Sequence, residues 1–252
     1  MNFRSILAGA AAAAAMTIAA APVAEAMTVQ PVVVDLQAAG RNMAGSVRVE
    51  NDGTQPLPVE VRITETDFSN NTVTASDRPS EDIMAFPPQA IIPPGQTQVF
   101  RLQYLGDPDI ATSKHYYATI AQLPVELPEG QSSIQILYNF QVMTNVASPT
   151  AAPPDLSVVE TGIGKDEQGR IYPTFNIRNA GGNYTYLANT RLTIAQKDGL
   201  GKEIFRRVLS PNDIQQTIGY GLIGPQTTRN FRAPIELPTD QGTIEVSIAK
   251  GD

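Results

Sequence analysis

The sequence predicts an all-β protein made of two β-sandwich domains. Short apolar alternations are separated by clusters of Gly, Pro, Asn and Asp, and no long stretch of the 252 residues keeps a helical period. About seven such strands precede a Pro/Ala-rich segment, Ala147–Pro154, and the same pattern resumes after it. The chain is long enough for two compact domains of about 100 residues each.

Residues 1–26 are typical of a secretory signal peptide. Asn2 and Arg4 lie in a short positive n-region, Ile6 to Ala21 form an apolar h-region, and Ala24-Glu25-Ala26 has the Ala-x-Ala pattern of a cleavage site. A membrane anchor is the alternative, but the apolar run is mostly Ala and falls short of the roughly 20 strongly apolar residues of a spanning helix. We therefore expect cleavage after Ala26, export, and no membrane insertion.

The strands of the first half follow from local alternation and turn signals. The first, Thr28–Leu36, contains Pro31, which cannot donate to a ladder and therefore predicts an edge or a bulge. The next, Ser46–Glu50, ends in the turn signal Asn51-Asp52-Gly53 and leads to Val59–Thr66. The rest of this half is predicted as follows: a polar loop at Phe68–Asp82, then strands Gln98–Tyr104, Tyr116–Leu123 and Ser132–Asn145.

The Pro/Ala-rich segment predicts a short, stiff linker. It divides the chain into a signal at 1–26, a first domain at 27–147, a linker at 148–154 and a second domain at 155–252. The strands predicted after it are Leu156–Thr161, Arg170–Asn179, Arg191–Gln196, Ile204–Leu209, Arg229–Pro234 and Gly242–Ala249. The second half is therefore expected to be a second sandwich.

The composition includes few residues of the types that catalysis or metal binding uses. The absence of Cys excludes a disulfide framework, thiol catalysis and a Cys/His zinc site. His115 is the only histidine, and its place at the start of a probable strand predicts a surface or edge residue rather than a base. The carboxylate pairs Glu81-Asp82 and Asp107/Asp109 lack calcium-loop spacing and are interpreted as solvated turns. We expect no enzyme activity, no cofactor and no metal, and the formal charge of -7 argues against nucleic acid.

The most informative stretch is the long apolar strand Ser132–Asn145. Side chains alternate across a strand, so one of its faces carries an unbroken apolar row. Such a strand could build the domain's own sandwich with one face and offer the other face to an incomplete sheet outside it. It could equally be a long core strand of an ordinary sandwich. The apolar row consists of Ile134, Ile136, Tyr138, Phe140 and Val142.

Taken in order, these elements resemble the periplasmic pilus chaperones of the chaperone-usher pathway. The resemblance extends over nearly all of the chain after the signal, and its motifs are specific in their order and spacing rather than one by one. They are Val29–Val34, Val47–Gly53, Ile92–Leu102 with its Pro93-Pro94-Gly95 turn, Tyr116–Pro124, the long strand itself, and Tyr220–Pro225 with Asn230-Phe231.

The resemblance implies two immunoglobulin-like sandwiches in a boomerang arrangement and a periplasmic chaperone that folds and stabilises pilin subunits. It implies donor-strand complementation, in which the chaperone adds its long strand to a pilin sheet that lacks one, and delivery of the subunit to an outer-membrane usher. The partners would then be pilin subunits and an usher. The side chains that the resemblance assigns to the pilin groove are Ile134, Ile136, Tyr138 and Phe140.

The sequence departs from the best-known members of this family in the cleft between the domains. Those members carry an arginine on the first strand and a lysine near the end of the long strand, which hold the carboxylate of the pilin's last residue. Here Pro31 and Gln141 take the two positions, and neither side chain is charged. The departure resembles the archaic and alternative branches of the family.

Two other classes of protein are alternatives. A pilin or adhesin subunit would also be exported and all-β, but its donor segment usually lies at its own mature N-terminus, where this chain has Pro31. A secreted sandwich hydrolase or sugar-binding module would need paired carboxylates in a cleft or an aromatic platform, and the chain has no Trp.

Overall fold

The computed structural model describes residues 27–69, 71–124 and 136–251, and most of them are in β-strands. The strands of the first half are β1 (Met27–Gln30), β2 (Val33–Gln37), β3 (Ala44–Asn51), β4 (Leu57–Ser69), β5 (Thr72–Pro79), β6 (Ile83–Phe86), β7 (Gln89–Ile92), β8 (Thr97–Tyr104), β9 (Lys114–Gln122) and β10 (Asn139–Ala147). The elements of the second half are β11 (Leu156–Lys165), β12 (Ile171–Asn179), β13 (Thr185–Tyr186), a 3₁₀ turn (Leu187–Asn189), β14 (Thr190–Lys197), β15 (Glu203–Leu209), α1 (Pro211–Thr217), β16 (Leu222–Ile223), β17 (Thr228–Arg232) and β18 (Thr243–Lys250).

The first half is a sandwich of two sheets. One sheet has the strand order β1-β3-β8-β6, and the other has the order β2-β10-β9-β4-β5, with β7 also paired to β4. The predicted first strand is broken at Pro31 and Val32, so that β1 pairs with β3 in one sheet and β2 runs parallel to β10 in the other. Pro31 has no N–H to continue either ladder, which accounts for the break at this point.

The core of the first sandwich is filled by alternate side chains from both sheets. Val47 and Phe100 come from one sheet and Ile120 and Val142 from the other, and none of these four has any exposed surface. Their burial in one apolar cluster holds the two sheets together.

The second half forms a sandwich with its own core. Its sheets have the strand orders β11-β12-β17 and β15-β14-β18, with a small third pair of β13 and β16. Phe175 and Ile177 of β12 pack in one buried cluster with Leu192 and Ile194 of β14. The prediction of an all-β protein with two sandwich domains is therefore confirmed.

The predicted loop at Phe68–Asp82 is wrong, because this region is a β-hairpin. β4 continues to Ser69 and pairs antiparallel with β5. Ion pairs join the two strands of this polar hairpin, since Arg78 contacts Glu65 at 2.8 Å and Asp67 at 2.5 Å. Such cross-strand pairs allow a polar sequence to form a strand when neither face is fully buried.

The short helix α1 was not predicted, although its start has a recognisable sequence signal. The Ser210 hydroxyl accepts a hydrogen bond from the Asp213 N–H, and the Asp213 carboxylate accepts one from the Ser210 N–H, with Pro211 at the first helical position. Ile214 anchors the helix in the second core. No helix in the described part of the chain is long and apolar enough to cross a membrane.

The segment between the two cores is held by a turn of the second sandwich. The Asn183 side chain accepts from the Ser148 N–H at 2.9 Å and donates to the Ser148 carbonyl at 3.0 Å. Gly181 lies so close to this segment that a Cβ there would be 2.1 Å from the Pro153 carbonyl oxygen. These contacts restrict the angle between the domains more than the prolines alone would.

Candidate strand-addition edge and interdomain cleft

The first part of β10 has one unpaired edge. β10 pairs with β9 along its length, whereas β2 pairs with only its second part, from Met143 onward. Met143 donates its N–H to the Val32 carbonyl at 3.0 Å, so the odd-numbered residues of β10 point their backbone groups toward the β2 side. For Asn139 and Gln141 that side lies beyond the start of β2, and no strand in the described ranges pairs with them there.

The apolar row of this strand passes from solvent into the core on a single face. Val142 is fully buried, Tyr138 is half-buried and packs on the first core, and Phe140 is 36% exposed. Ile136, which precedes β10, is 68% exposed. Within β10 the face that carries Phe140 and Val142 is therefore exposed at its start and buried further along. The hypothesis that one face builds the sandwich while the other is offered to a partner stays a prediction.

The described residues cover only part of the predicted strand Ser132–Asn145. Ile134 lies outside the described residues. Within them the strand begins at Asn139 and not earlier, although Tyr138 already contacts β9, where its carbonyl accepts from the Gln122 N–H at 2.9 Å.

A cavity of about 490 Å³ lies where this edge meets the second domain. Gln141 lines it, as do Val32 and Val33 at the start of β2. Pro31, the other residue predicted for the cleft, does not line this cavity and lies exposed one residue before Val32. The second domain contributes residues of β16 and β17 and the preceding turn.

The charges around this cavity are all positive. Arg229 and Arg232 of β17 line it, and no Asp or Glu is among its lining residues. Arg232 is already engaged, because its guanidinium stacks over the Tyr172 ring at 4.0 Å and lies 3.8 Å from the Asp166 carboxylate.

Arg229 has no comparable partner. Its Nε atom is buried and makes no hydrogen bond, and none of the ion pairs among the described residues includes it. Its guanidinium carbon lies 5.6 Å from the centre of the Phe231 ring. Burial lowers the pKa of Arg229, while the nearby Tyr117 raises it.

Sequence reasoning missed Arg229. A signal was nevertheless present, because side chains alternate along β17 and Arg229 has the same parity as the buried Phe231 and Ala233. An arginine at an inward-facing position of a strand is unusual, since charged groups are rarely buried without a partner.

The two domains are also joined by a polar network around Asp35 of β2. The Asp35 carboxylate accepts hydrogen bonds from the Tyr184 hydroxyl at 2.8 Å and from the Tyr186 hydroxyl, both in the second domain. Asn145 of β10 donates to the same carboxylate at 3.2 Å. Burial, the first cause, and the Asp35 carboxylate both raise the pKa of Tyr184 and Tyr186, so both phenols stay neutral donors.

His115 belongs to this network and is not a surface or edge residue, so that prediction is wrong. Its ring is 7% exposed because Phe68 and Tyr184 pack edge-on against it at 5.0 and 5.2 Å between ring centres. Its Nδ1 lies 2.6 Å from the Asn145 side-chain oxygen and its Nε2 lies 3.3 Å from the Ser113 hydroxyl. Burial lowers the pKa of His115 to about 4, so the ring is neutral at neutral pH.

The interpretation of Glu81-Asp82 as a solvated turn is also wrong for Asp82. Its carboxylate accepts from the Lys114 ammonium at 2.8 Å and from the Tyr116 hydroxyl at 2.5 Å. These contacts lower the pKa of Asp82 against the opposing effect of burial, which is the largest single cause. Asp107 does cap a turn, accepting from the Asp109 N–H at 2.8 Å. No cluster of three or more potential metal ligands occurs in the described part of the chain.

Comparison with known families agrees with this geometry. Residues 26–144 match the family model described as "Pili and flagellar-assembly chaperone, PapD N-terminal domain". The match covers the first domain of the chain up to Thr144. No curated protein sequence matches the chain.

Solved structures of low sequence identity share the two-domain fold. One is the complex of SafA pilin with the SafB chaperone from Salmonella enterica, with a TM-score of 0.53, 14% identity, and coverage of 90% of this chain and 96% of that one. Another is the complex of CsuC with the tip adhesion subunit CsuE, from the archaic Csu pili of Acinetobacter baumannii. It has a TM-score of 0.51, 13% identity, and coverage of 88% of this chain and 97% of that one.

Proposed function

We propose that this pilus chaperone captures pilin subunits in the periplasm by donor-strand complementation and delivers them to an outer-membrane usher. The observation that carries the proposal is the free edge of β10 at Asn139 and Gln141, which adjoins the exposed apolar side chains of Ile136 and Phe140. An immunoglobulin-like subunit that lacks one strand has the complementary features, namely an unpaired edge and an open apolar groove.

The two parts of this surface contribute differently to binding. Backbone pairing along the free edge nets about 1 kcal/mol per hydrogen bond and sets the register. Transfer of a large apolar side chain from water into the groove is worth roughly 1.5 to 3 kcal/mol. Apolar burial at Ile136 and Phe140 therefore supplies most of the affinity, and in the sequence Ile134 and Tyr138 belong to the same alternating row.

The position of the row explains how one strand can serve two proteins. Because Val142 is buried in the chaperone's own core while Phe140, on the same face of β10, is partly in solvent, a bound subunit would extend that core rather than compete with it. The free chaperone stays folded without a subunit for the same reason, since the part of the strand that it needs is already paired on both sides.

Export and domain division belong to the same proposal. The signal at 1–26 would direct the chain to the periplasm, where pilins fold, and the divisions 27–147, 148–154 and 155–252 separate the strand-donating domain from the second sandwich. The uncharged residues Pro31 and Gln141 favour the archaic or alternative branch. The proposed role is that of a chaperone and not of an enzyme.

Capture of a pilin in cells tests this proposal. The chaperone is co-expressed with a cognate pilin, and the amount of pilin that co-purifies from the periplasm is measured. We expect wild type to bring down pilin in about equal amount and Ile136→Asp to bring down little, because a carboxylate in the apolar groove is costly. Ile91→Asp is the matched control, since Ile91 is 71% exposed on a different edge of the same sheet. Equal loss in both variants, or no capture by wild type, would refute the proposal.

A further inference from the structure

We infer that Phe68 is a positioning residue that fixes the angle between the two sandwiches, because it seats a projecting arm of the first domain on the second. The arm consists of residues 66–69 and 71–75, from the end of β4 and the start of β5. It thereby sets the width of the cleft that receives a subunit. The effect on the domain angle stands without any partner, whereas the effect on subunit capture rests on the proposed function.

The arm projects beyond the sheet to which it belongs. β4 pairs with β9 only as far as Glu65, and β5 pairs with no strand other than β4 in the described ranges. The arm is therefore a two-stranded ribbon that no third strand of its sheet supports among the described residues. A two-stranded ribbon by itself is marginally stable in water at best, so the position of the arm depends on what it rests against.

The ring of Phe68 rests on a turn of the second domain that has room for it only because of a glycine. A Cβ built on Gly224 would lie 2.7 Å from the ring, well inside van der Waals contact. The turn is itself held in place, because the Gly224 carbonyl accepts from the Asn179 side chain at 3.1 Å and from the Thr227 hydroxyl at 3.0 Å. The same ring packs edge-on against His115 of the first domain, at 5.0 Å between ring centres. Phe68 is thus wedged between the two domains.

A backbone hydrogen bond ties the arm to a strand of the second domain. β17 pairs only with β12 in the described part of the chain, so its other edge is open to a partner. From this edge Asn230 donates its N–H to the Asn71 carbonyl at 3.0 Å. Val73 of the arm and Asn230 also line the cleft cavity. The arm therefore forms part of the wall of the cleft as well as a contact across it.

Two attachments to different parts of the second domain fix an angle that one attachment alone would leave free. The network around Asp35 engages Tyr184 and Tyr186, at the strand pair of β13 and β16. The arm engages β17 of another sheet and the turn before it. Asp35 on β2 and the arm on β4 and β5 are three to four strand spacings apart, about 14 to 19 Å. Rotation about either attachment would therefore break the other.

The test uses two nitroxide labels and needs no pilin. The chain has no cysteine, so Ser46→Cys on β3 and Ser247→Cys on β18 provide one exposed labelling site in each domain. Double electron–electron resonance measures the distance distribution between the labels in wild type, Phe68→Ala, Gly224→Ala and the double variant. Phe86→Ala is the matched control, since it removes a phenylalanine ring that is 67% exposed on β6.

We expect Phe68→Ala to broaden the distance distribution about twofold or more, because the angle loses one of its two attachments. Gly224→Ala should also shift or broaden it, since the added methyl group displaces the ring. The double variant should resemble Phe68→Ala alone, because the methyl group then has no ring to displace. Phe86→Ala should leave the distribution unchanged.

Dissociation constants for purified chaperone and a cognate pilin test the consequence for capture. A cleft of fixed width is preorganised for the subunit, so Phe68→Ala should weaken binding about fivefold or more, whereas Phe86→Ala should not. Undiminished binding by Phe68→Ala with a broadened distribution would overturn the role of the arm in capture. No binding by wild type would refute the proposed function, and the distance measurements would still decide the role of Phe68 in the domain angle.

The same narrow distribution in wild type, Phe68→Ala and Gly224→Ala would overturn the inference, whether or not pilin is captured. An equal effect of Gly224→Ala with and without the Phe68 ring would also overturn it, since the methyl group would then act on something other than the arm. Gly224→Ala leaves the first domain unaltered, so the test holds even if Phe68→Ala folds poorly.

Discussion

His115 and Arg229 are two titratable side chains that the fold buries, with different consequences for their charge. His115 is buried among Phe68 and Tyr184 and loses its proton, because nothing nearby compensates a positive charge well enough. Arg229 cannot lose its proton at physiological pH and remains charged beside a cavity. Alternation along β17 could have indicated Arg229 from sequence, whereas the burial of His115 depends on Tyr184, which comes from the other domain and is distant in sequence.

The low pKa of His115 predicts a pH dependence of stability. The unfolded chain binds a proton below about 6.5, whereas the folded chain does so only below about 4. The unfolded state therefore holds more protons in this window, and the free energy of unfolding falls as pH drops through it, by about 3 kcal/mol in full. Above pH 6.5 this contribution is constant.

Urea unfolding at pH 7 and pH 4.5 measures this effect. His115→Gln lacks the titrating group, so its free energy of unfolding should fall less than that of wild type over the same interval, by about 2 to 3 kcal/mol. Carboxylates titrate alike in both proteins and cancel in the comparison. The same drop in wild type and variant would show that His115 is not held neutral by the fold.

At the scale of the element, β10 shows what sequence alternation can and cannot predict. The parity of its apolar row was predictable, because Val142, Phe140 and Tyr138 lie on one face as a period of two requires. The division of that face into a buried and an exposed part was not predictable. It depends on where β2 begins and on which part of the opposing sheet covers the strand. The hairpin of β4 and β5 was missed because its sequence is polar and lacks apolar alternation, although Arg78 pairs with two carboxylates across its strands.

Truncation of side chains along this face should reveal the division. Val142→Ala should lower the free energy of unfolding by about 2 kcal/mol, because it removes two buried methyl groups and leaves a small cavity. Ile136→Ala should change it by less than about 0.5 kcal/mol, because Ile136 is mostly in solvent. Denaturant titration of the two variants is the measurement, and a large loss in Ile136→Ala would mean that Ile136 is part of the chaperone's own core.

At the scale of the whole molecule, two separate apolar cores are joined by a polar interface. Asp35, Tyr184 and Tyr186 link the domains by hydrogen bonds, and Asn183 holds the chain between them. Polar contacts of this kind fix the orientation of the two domains, while the two apolar cores stay separate. The sequence predicted the two sandwiches, because strand patterning is a local signal. It could not predict the contacts of Asp35 with Tyr184 and Tyr186, which join residues more than 100 positions apart.

The fixed geometry places the free edge of β10 at the mouth of the cleft. A strand added to that edge is therefore flanked by the first domain along its length and meets the second domain at its end. Capture of a subunit should consequently protect the backbone of the edge without altering the pairing of β10 with β9.

Amide hydrogen exchange of β10, measured in the free chaperone and in its complex with a cognate pilin, tests the central claim most directly. The amides of Asn139 and Gln141 point to the free edge, so they should exchange fast in the free protein and at least about tenfold more slowly in the complex. The amides of Phe140 and Val142 face β9 and serve as internal controls, with slow exchange in both states. Unchanged exchange at Asn139 and Gln141 while pilin stays bound would contradict strand addition at this edge.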